Sequence, residues 1–280
     1  MRRFQLLWFA LSLAAVCLGG CQKNESQVSI SVVGSSSVEP LMTILTDIYH
    51  EQHSDIDFDI QATGSSAGIK AALSGATDIA MSSRTLTADE QADHVEDVSI
   101  ALDGIAIVVH PDNPVENLTQ TQIRDIFNGS IDNWNEVGGA DRPIVLVSRE
   151  AGSGTRNAFE EMLGLLVDHY SMLAEDSAIY CDSTNSIAQN VADKTNAIGY
   201  VSLGSLGHGV KALRVDDIVC SEESIEDGSY PLARPFTLLI NRSDTNEHTG
   251  AIESFLAFVE SDEAQRAILS EGFVPMQVAE

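Results

Sequence analysis

Three stretches of the chain set hydroxyl residues and glycine directly ahead of a helical pattern, a combination suited to holding an oxyanion. They are Gly34-Ser35-Ser36-Ser37, Thr63-Gly64-Ser65-Ser66-Ala67-Gly68, and Ser148-Arg149-Glu150-Ala151-Gly152-Ser153-Gly154-Thr155. The first four N–H groups of a helix have no partner within it, and the aligned peptide dipoles place roughly half a positive charge there. Glycine lets backbone approach a ligand closely, and Ser or Thr adds hydroxyl donors. Such a helix start receives anions readily. A Ser in this position is ordinarily just a helix cap, so any one loop is open to both readings. Three in one chain, with runs such as Ser-Ser-Ser and Gly-Ser-Gly-Thr that capping does not need, favour ligand binding. Arg149 adds a full positive charge beside the third loop, where a guanidinium can fork onto two oxygens of an anion. Its other reading is an ion pair with Glu150 or a neighbouring acid.

The elements that must position these loops follow from periodicity. Ser29–Val33 reads as a strand, and the helix after it aligns Val38, Leu41, Met42, Leu45, Ile48 and Tyr49 on one face, with Pro40 tolerated in the first turn. Asp57–Gln61 reads as a second strand, followed by a short helix through Ile69, Ala72 and Leu73. Ile144–Val147 reads as a third, followed by a helix aligning Phe159, Met162, Leu163 and Leu166. The segment Ala251–Leu269 carries helix-spaced apolar residues and is expected in the core. Strands alternating with helices make an α/β fold.

The remaining composition narrows the classes. The chain has 280 residues, 15 Lys+Arg and 42 Asp+Glu, for a formal charge of −27. That charge argues against nucleic acid as a partner. It does not argue against an anion in a cleft, because the Debye length at physiological salt is about 8 Å and donors in contact with the ligand outweigh screened surface acids. It does predict an association rate that rises with salt. Arg2 and Arg3 followed by the apolar run Phe4–Val16 read as a secretory signal too short to span a bilayer. The small residues before Cys21 read as a lipoprotein cleavage site, so residues 1–20 form the signal peptide, Cys21 is acylated (palmitate among its chains), and 21–27 form a tether. The protein is thus expected in the periplasm or cell envelope, anchored to the membrane through that lipid. Cys181 and Cys220 then remain in a disulfide-permissive compartment and are expected to pair.

Enzyme signatures are absent. Ala151-Gly152-Ser153-Gly154-Thr155 lacks the first glycine of a nucleophile elbow, and no phosphate-loop lysine motif occurs. The histidines form no recognisable metal or catalytic motif; His50 and His53 share a helix face, better read as a polar helix end. No metal, cofactor or catalytic residue is expected. Trp134 is read as packing within the Asn128–Gly139 loop.

Six stretches carry a family resemblance: GSSSVEPL (34–41), TGSSAGIKAALSGATDIAMSSR (63–84), IFNGSIDNWNEVGG (126–139), SREAGSGTRNAFEEML (148–163), AIGYVSLG (197–204) and GSYPLARPFTLLIN (228–241). Together they resemble the phosphate-binding component of bacterial phosphate ABC importers. The resemblance implies a two-lobed periplasmic-binding-protein type II fold, with two crossover hinge strands and a ligand cleft. Placing the hinges at the apolar run Gly104–Val109 before His110–Pro114, and at Tyr230–Pro235, gives lobe 1 at 28–107 plus 236–280 and lobe 2 at 108–235. Carried over by position, the phosphate ligands are Ser36, Ser37, Ser65, Ser83, Arg149, Ser153, Gly154 and Thr155, and Arg84 is a further candidate with a surface ion pair as its alternative. Familiar members carry an Asp where this chain has Ser83. That carboxylate accepts the proton of hydrogen phosphate and rejects sulfate, so discrimination here needs another acceptor or is weaker. An acid that steadies the Arg is replaced by Ala151, leaving Glu150 for that task. The implied partners are inorganic phosphate and the importer's membrane permease subunits, with the chain a monomer. The alternative functions are phosphate sensing or adhesion by an envelope lipoprotein of the same fold, or binding of another oxyanion such as sulfate.

Overall fold

Each strand, hydroxyl loop and helix unit read from the sequence forms, except that the third helix stops at Met162, with Leu163 as its C-cap and Leu166 in a short strand beyond it. The computed structural model describes residues 28–167, 170–207, 209–242 and 248–276; the signal peptide, Cys21, the tether, His169 and His208 lie outside the described residues. In chain order the main elements are β1 (Val28–Gly34), α1 (Glu39–Gln52), β2 (Ile56–Gln61), α2 (Ser65–Ser74), β3 (Ile79–Ser82), β4 (Val95–Val109) and α3 (Gln120–Phe127). They continue through β5 (Val145–Arg149), α4 (Gly154–Met162), β6 (Ala178–Cys181), α5 (Thr184–Ala192), β7 (Ala197–Ser202), β8 (Ala233–Asn241), α6 (Thr249–Val259) and α7 (Asp262–Ser270).

The strands follow one another in the order β2-β1-β3-β8-β4-β7-β5-β6. At one end β1 pairs in parallel with β2 and β3; at the other β5 pairs in parallel with β7 and β6. The antiparallel strands β4 and β8 join the two ends. β4 pairs with β8 from Val95 to Gly104 and with β7 from Ile105 to Val109, so one strand serves both halves. The cores divide at the same place. One apolar cluster gathers residues from Ile30 to Ala101 with Phe236 to Phe273; the other gathers Ile105 to Leu232 with Val274. The molecule is a mixed α/β protein with two lobes joined through paired crossover strands.

Local sequence explains the elements nearest the loops. Gly34 adopts φ +143°, and a Cβ there would stand 2.1 Å from the Met81 carbonyl oxygen, so only glycine lets β1 pass β3 at this turn. α1 buries Leu41, Met42, Leu45, Thr46 and Tyr49, whereas Ile48 is half-buried at the edge of the expected stripe. Tyr49 packs edge-on against Phe58 and Phe255 at centroid distances of 5.9 and 5.3 Å. Such pairs contribute about 1 kcal/mol each beyond the area they bury. The apolar segment Ala251–Leu269 is broken into α6 and α7, because Ser261 Oγ accepts from Ala264 N and the acids Asp262 and Glu263 favour a new helix start. Trp134 is buried, with its indole N–H donating to the Asn196 carbonyl at 2.9 Å. His53 stacks on Tyr49 at 4.2 Å and His50 contacts the Ile56 carbonyl and Asp57.

The expected Cys181–Cys220 disulfide is corrected by the structure: both are free, buried thiols. Cys181 ends β6, the outermost strand, while Cys220 Sγ packs where a Cβ on Gly104 of β4 would stand, at 2.6 Å. Strands β7 and β5 lie between them, a separation of roughly 14 Å at the usual strand spacing, and a disulfide needs Cα atoms within about 7 Å. Burial pushes the Cys220 thiol up to about 12 and the Cys181 thiol upward as well, so both are held protonated.

Candidate oxyanion site

All three hydroxyl loops lie at the carboxyl ends of parallel strands, and the fold brings them together where the two lobes meet. The helix starts differ in how they use their hydroxyls. α1 and α2 follow the N-cap residues Val38 and Gly64 with no side-chain cap, so the hydroxyls of Ser36, Ser37 and Ser65 are not committed to capping. At α4, Ser153 Oγ accepts from Arg156 N and acts as a cap, leaving its side chain committed to the helix. The cap reading therefore holds for one loop in three.

Lobe 1 contributes Ser35, Ser36, Ser37, Ser65 and Ser83. Ser35 Oγ donates to Ser83 Oγ at 2.9 Å; Ser83 N donates to Ser65 Oγ at 3.2 Å, and the Ser65 and Ser83 hydroxyls are 3.3 Å apart. Lobe 2 contributes Arg149, Gly154, Thr155 and Thr184. The walls meet directly. Ser37 Oγ lies 2.8 Å from Thr155 Oγ1 and 2.9 Å from Thr184 Oγ1, Arg149 Nη2 donates to Ser36 Oγ at 3.1 Å, and Ser66 N donates to the Gly152 carbonyl at 3.2 Å. Gly154 is pressed so close to lobe 1 that a Cβ would stand 2.2 Å from Ser65 Oγ and 2.7 Å from Ser83 Oγ. Ser37, Ser65, Ser83, Arg149, Ser153 and Thr155 are all buried.

Arg149 is held from its backbone outward. Its N–H donates to Tyr200 Oη at 3.3 Å and its carbonyl accepts from Arg156 Nη1 at 3.2 Å. Tyr200 is itself fixed by Ser148 at 2.8 Å and by stacking on Phe159 at 4.1 Å, and burial pushes its phenol up to about 12, so it remains neutral. The guanidinium donates from Nε and Nη2 to the two oxygens of Glu150 at 3.0 and 2.9 Å. Nη2 also donates to the Asp182 carbonyl and Nη1 to Thr184 Oγ1, at 3.1 and 3.3 Å. Glu150 thus steadies the arginine, while the Nη edge faces the hydroxyls of both walls.

Arg84, the further candidate, is not brought to this cluster. Its Nη1 and Nη2 donate to the two Glu90 oxygens at 2.7 and 2.8 Å, and that guanidinium holds the Glu90 carboxyl down at about 2. Ser35 and Thr184 join the cluster without having been singled out. Thr184 had a readable signal: β6, the hydroxyl pair Ser183-Thr184 after Asp182, and α5 repeat the same strand–loop–helix device a fourth time, without glycine. The arrangement gathers hydroxyls, two helix starts and one guanidinium into a single contact cluster, a donor-rich setting for a tetrahedral anion. Among the described residues no group of three or more His, Cys, Asp or Glu is placed to hold a metal, and no helix is long and apolar enough to cross a membrane.

Comparison with known proteins agrees with this geometry. Residues 22–263 match the PBP superfamily domain. The phosphate-binding protein PstS of Bacillus subtilis is 31% identical over 261 residues, which cover 91% of this chain and 83% of that protein. PstS of Borreliella burgdorferi is 25% identical over 280 residues, covering 98% of this chain and 99% of its own. Among solved structures, a phosphate ABC transporter substrate-binding protein from Clostridium perfringens, with bound phosphate, superposes with a TM-score of 0.83 at 38% identity, covering 89% of this chain and 99% of that one. An ABC-type phosphate transport receptor from Vibrio cholerae gives a TM-score of 0.75 at 38% identity, covering 88% and 99%.

Proposed function

The chain belongs to the PBP superfamily and, within it, to the phosphate-binding PstS proteins, and from that premise we propose that the hydroxyl cluster with Arg149 captures inorganic phosphate for delivery to an ABC importer. The observation that carries this reading is the convergence of donors from both lobes: Arg149 with Thr155 and Thr184 on one side, Ser36, Ser37, Ser65 and Ser83 on the other. In this reading Ser36, Ser37, Ser65, Ser83, Arg149, Ser153, Gly154 and Thr155 form the phosphate shell, Ser153 through its backbone because its side chain caps α4. Thr184 completes it.

Phosphate is a doubly charged guest with four oxygens, and each charge-assisted hydrogen bond to it contributes about 1.5–3 kcal/mol. Contacts from one lobe alone leave half of those oxygens facing water. Contacts from both are available only when the walls approach, so the anion stabilises the closed arrangement by its differential affinity for it. Lobe 1 as 28–107 with 236–280 and lobe 2 as 108–235 are the bodies that would close, with β4 and β8 as the hinges. A permease that recognises the closed pair of lobes receives loaded protein in preference to free protein.

The protein works outside the cytoplasm as a binding protein, its relatives being substrate-binding transport proteins rather than enzymes. A lipid on Cys21 and the tether at 21–27 would hold it at the membrane beside the importer, with the chain acting as a monomer.

Selectivity follows from the charges that face the cluster. The carboxylate in contact with the cluster, Glu150, has both oxygens on Arg149, and position 83 is a serine. The proton of hydrogen phosphate is then accepted by a hydroxyl oxygen, and sulfate meets no carboxylate that repels it. Titration calorimetry with phosphate, arsenate and sulfate at two pH values tests the proposal. Saturable phosphate binding by a one-to-one complex is expected, with sulfate as a measurable competitor. No heat with any tetrahedral oxyanion would overturn it.

A further inference from the structure

Behind the hydroxyl cluster lies an ion pair that the phosphate shell does not include. Arg234 of β8 and Asp103 of β4 stand opposite each other in the strand register and are 1% and 0% exposed. Arg234 donates from Nη2 and Nε to Asp103 Oδ2 at 2.9 and 3.1 Å. Its Nη1 donates to the Ser83 carbonyl at 3.0 Å, and its guanidinium lies over the Phe236 ring at 5.4 Å. The other Asp103 oxygen, Oδ1, accepts from Ser202 Oγ at 2.7 Å and Leu203 N at 3.0 Å. One pair therefore ties together both crossover strands, the loop that carries Ser83 and the end of β7 in the second lobe.

Two charges withdrawn completely from water are costly, and a well-packed apolar pair would often serve stability as well or better. What the charged pair supplies is fixed geometry. Ser83 is constrained through three atoms: its carbonyl by Arg234, its N–H by Ser65 Oγ, and its hydroxyl by Ser35. Of these, the Arg234 bond is the one that comes from outside the cluster, so it sets where the cluster stands relative to the hinge. Burial pushes the Asp103 carboxyl up and pulls Arg234 down, while each partner's charge opposes that drift.

We propose that Arg234, anchored by Asp103, is a positioning residue for the oxyanion site: it fixes the Ser83 peptide from behind, so that the Ser83 and Ser65 hydroxyls meet the 153–155 loop at the right place when the lobes close. This rests on reading that cluster as the phosphate site. Lysine at 234 has a single ammonium and cannot span Asp103 and the Ser83 carbonyl with the planar fork that arginine offers.

The test compares Arg234→Lys with Phe255→Leu, a destabilising change in the lobe 1 aromatic core away from the loops. Inorganic phosphate is titrated into each full-length protein, melting temperature is recorded, and the ³¹P resonance of bound phosphate is measured at saturation. The expected result is phosphate binding weakened at least tenfold in R234K with a displaced ³¹P resonance, whereas F255L lowers the melting temperature and leaves both affinity and resonance at wild-type values. Equal affinity and an unmoved resonance in R234K would overturn the inference. Should R234K fail to fold, Asp103→Asn, which keeps the shape and removes the anchoring charge, carries the same comparison. A wild-type protein that binds no phosphate overturns the site reading itself, a result distinct from wild-type binding with an indifferent R234K.

Discussion

On the first lobe's wall of the cleft, five serines supply hydroxyls and backbone N–H groups, and the arginine next to them, Arg84, is forked onto Glu90. On the second lobe's wall Arg149 turns into the cleft beside Thr155 and Thr184. Both arginines are buried and both hold a carboxylate. They differ in where that carboxylate sits. Glu90 lies six residues along the chain in a short capped turn, where it also accepts from Thr87 N, and it draws Arg84 away from the ligand loops. Glu150 is the neighbour of Arg149 and takes Nε and one Nη, leaving the terminal edge directed at both walls. A guanidinium beside such a loop presents donors to it only where its own counter-charge leaves an edge free. The two walls differ as a result: one presents a guanidinium edge and the other presents serine hydroxyls.

That asymmetry is broken most severely by Arg149→Ala. Losing two charge-assisted bonds costs about 4 kcal/mol, roughly a thousandfold in phosphate affinity, and calorimetry should show it, whereas Arg84→Met should leave affinity within a factor of about two. Next is Gly154→Ala. Its Cβ would meet Ser65 Oγ at 2.2 Å, so the walls must part, and losing about two hydrogen bonds across them, at roughly 1.4 kcal/mol each, weakens binding roughly a hundredfold. Its folded spectrum should be unchanged, and tight binding by this variant would mean that the walls do not close as described. Ser37→Ala removes the hydroxyl that meets both Thr155 and Thr184 and should cost about 1 kcal/mol, a factor of roughly five.

The smallest effect concerns stability alone. The Glu90 carboxyl is held at about 2 instead of 4.5, chiefly by its hydrogen bonds from Arg84. A lowered folded-state value contributes stability that is complete above the unfolded value and fades as pH falls from 4.5 toward 2. Urea unfolding should thus show wild type more stable than Arg84→Met at about pH 6, with the gap narrowing by about pH 3. A gap independent of pH would contradict the assigned pairing.

Much of this site is legible in the residue pattern because its parts are local. A strand, a hydroxyl loop and a helix are contiguous, so Ser36, Ser37, Ser65 and Ser153–Thr155 are visible along with Arg149. What is not legible depends on strand order. Thr184 joins the cluster because β6 lies beside β5, and the Arg234–Asp103 pair exists only because β8 returns beside β4. The cysteines teach the same lesson in reverse. Cys181 and Cys220 look like a pair by count, yet two strands separate the positions they occupy. Arg84 carries two readings in the sequence, ligand or ion pair, and the placement of Glu90 gives the ion pair. The break between α6 and α7 was readable in Ser261-Asp262-Glu263, but the apolar spacing on both sides masked it.

A crystal structure of the protein grown with phosphate bears most directly on the central claim that both walls converge on one anion. A single phosphate is predicted between the lobes, contacted by the Arg149 terminal nitrogens and the 153–155 loop from one side, and by Ser36, Ser37, Ser65 and Ser83 from the other. A phosphate bound by one lobe alone, or seated away from Arg149, would contradict it.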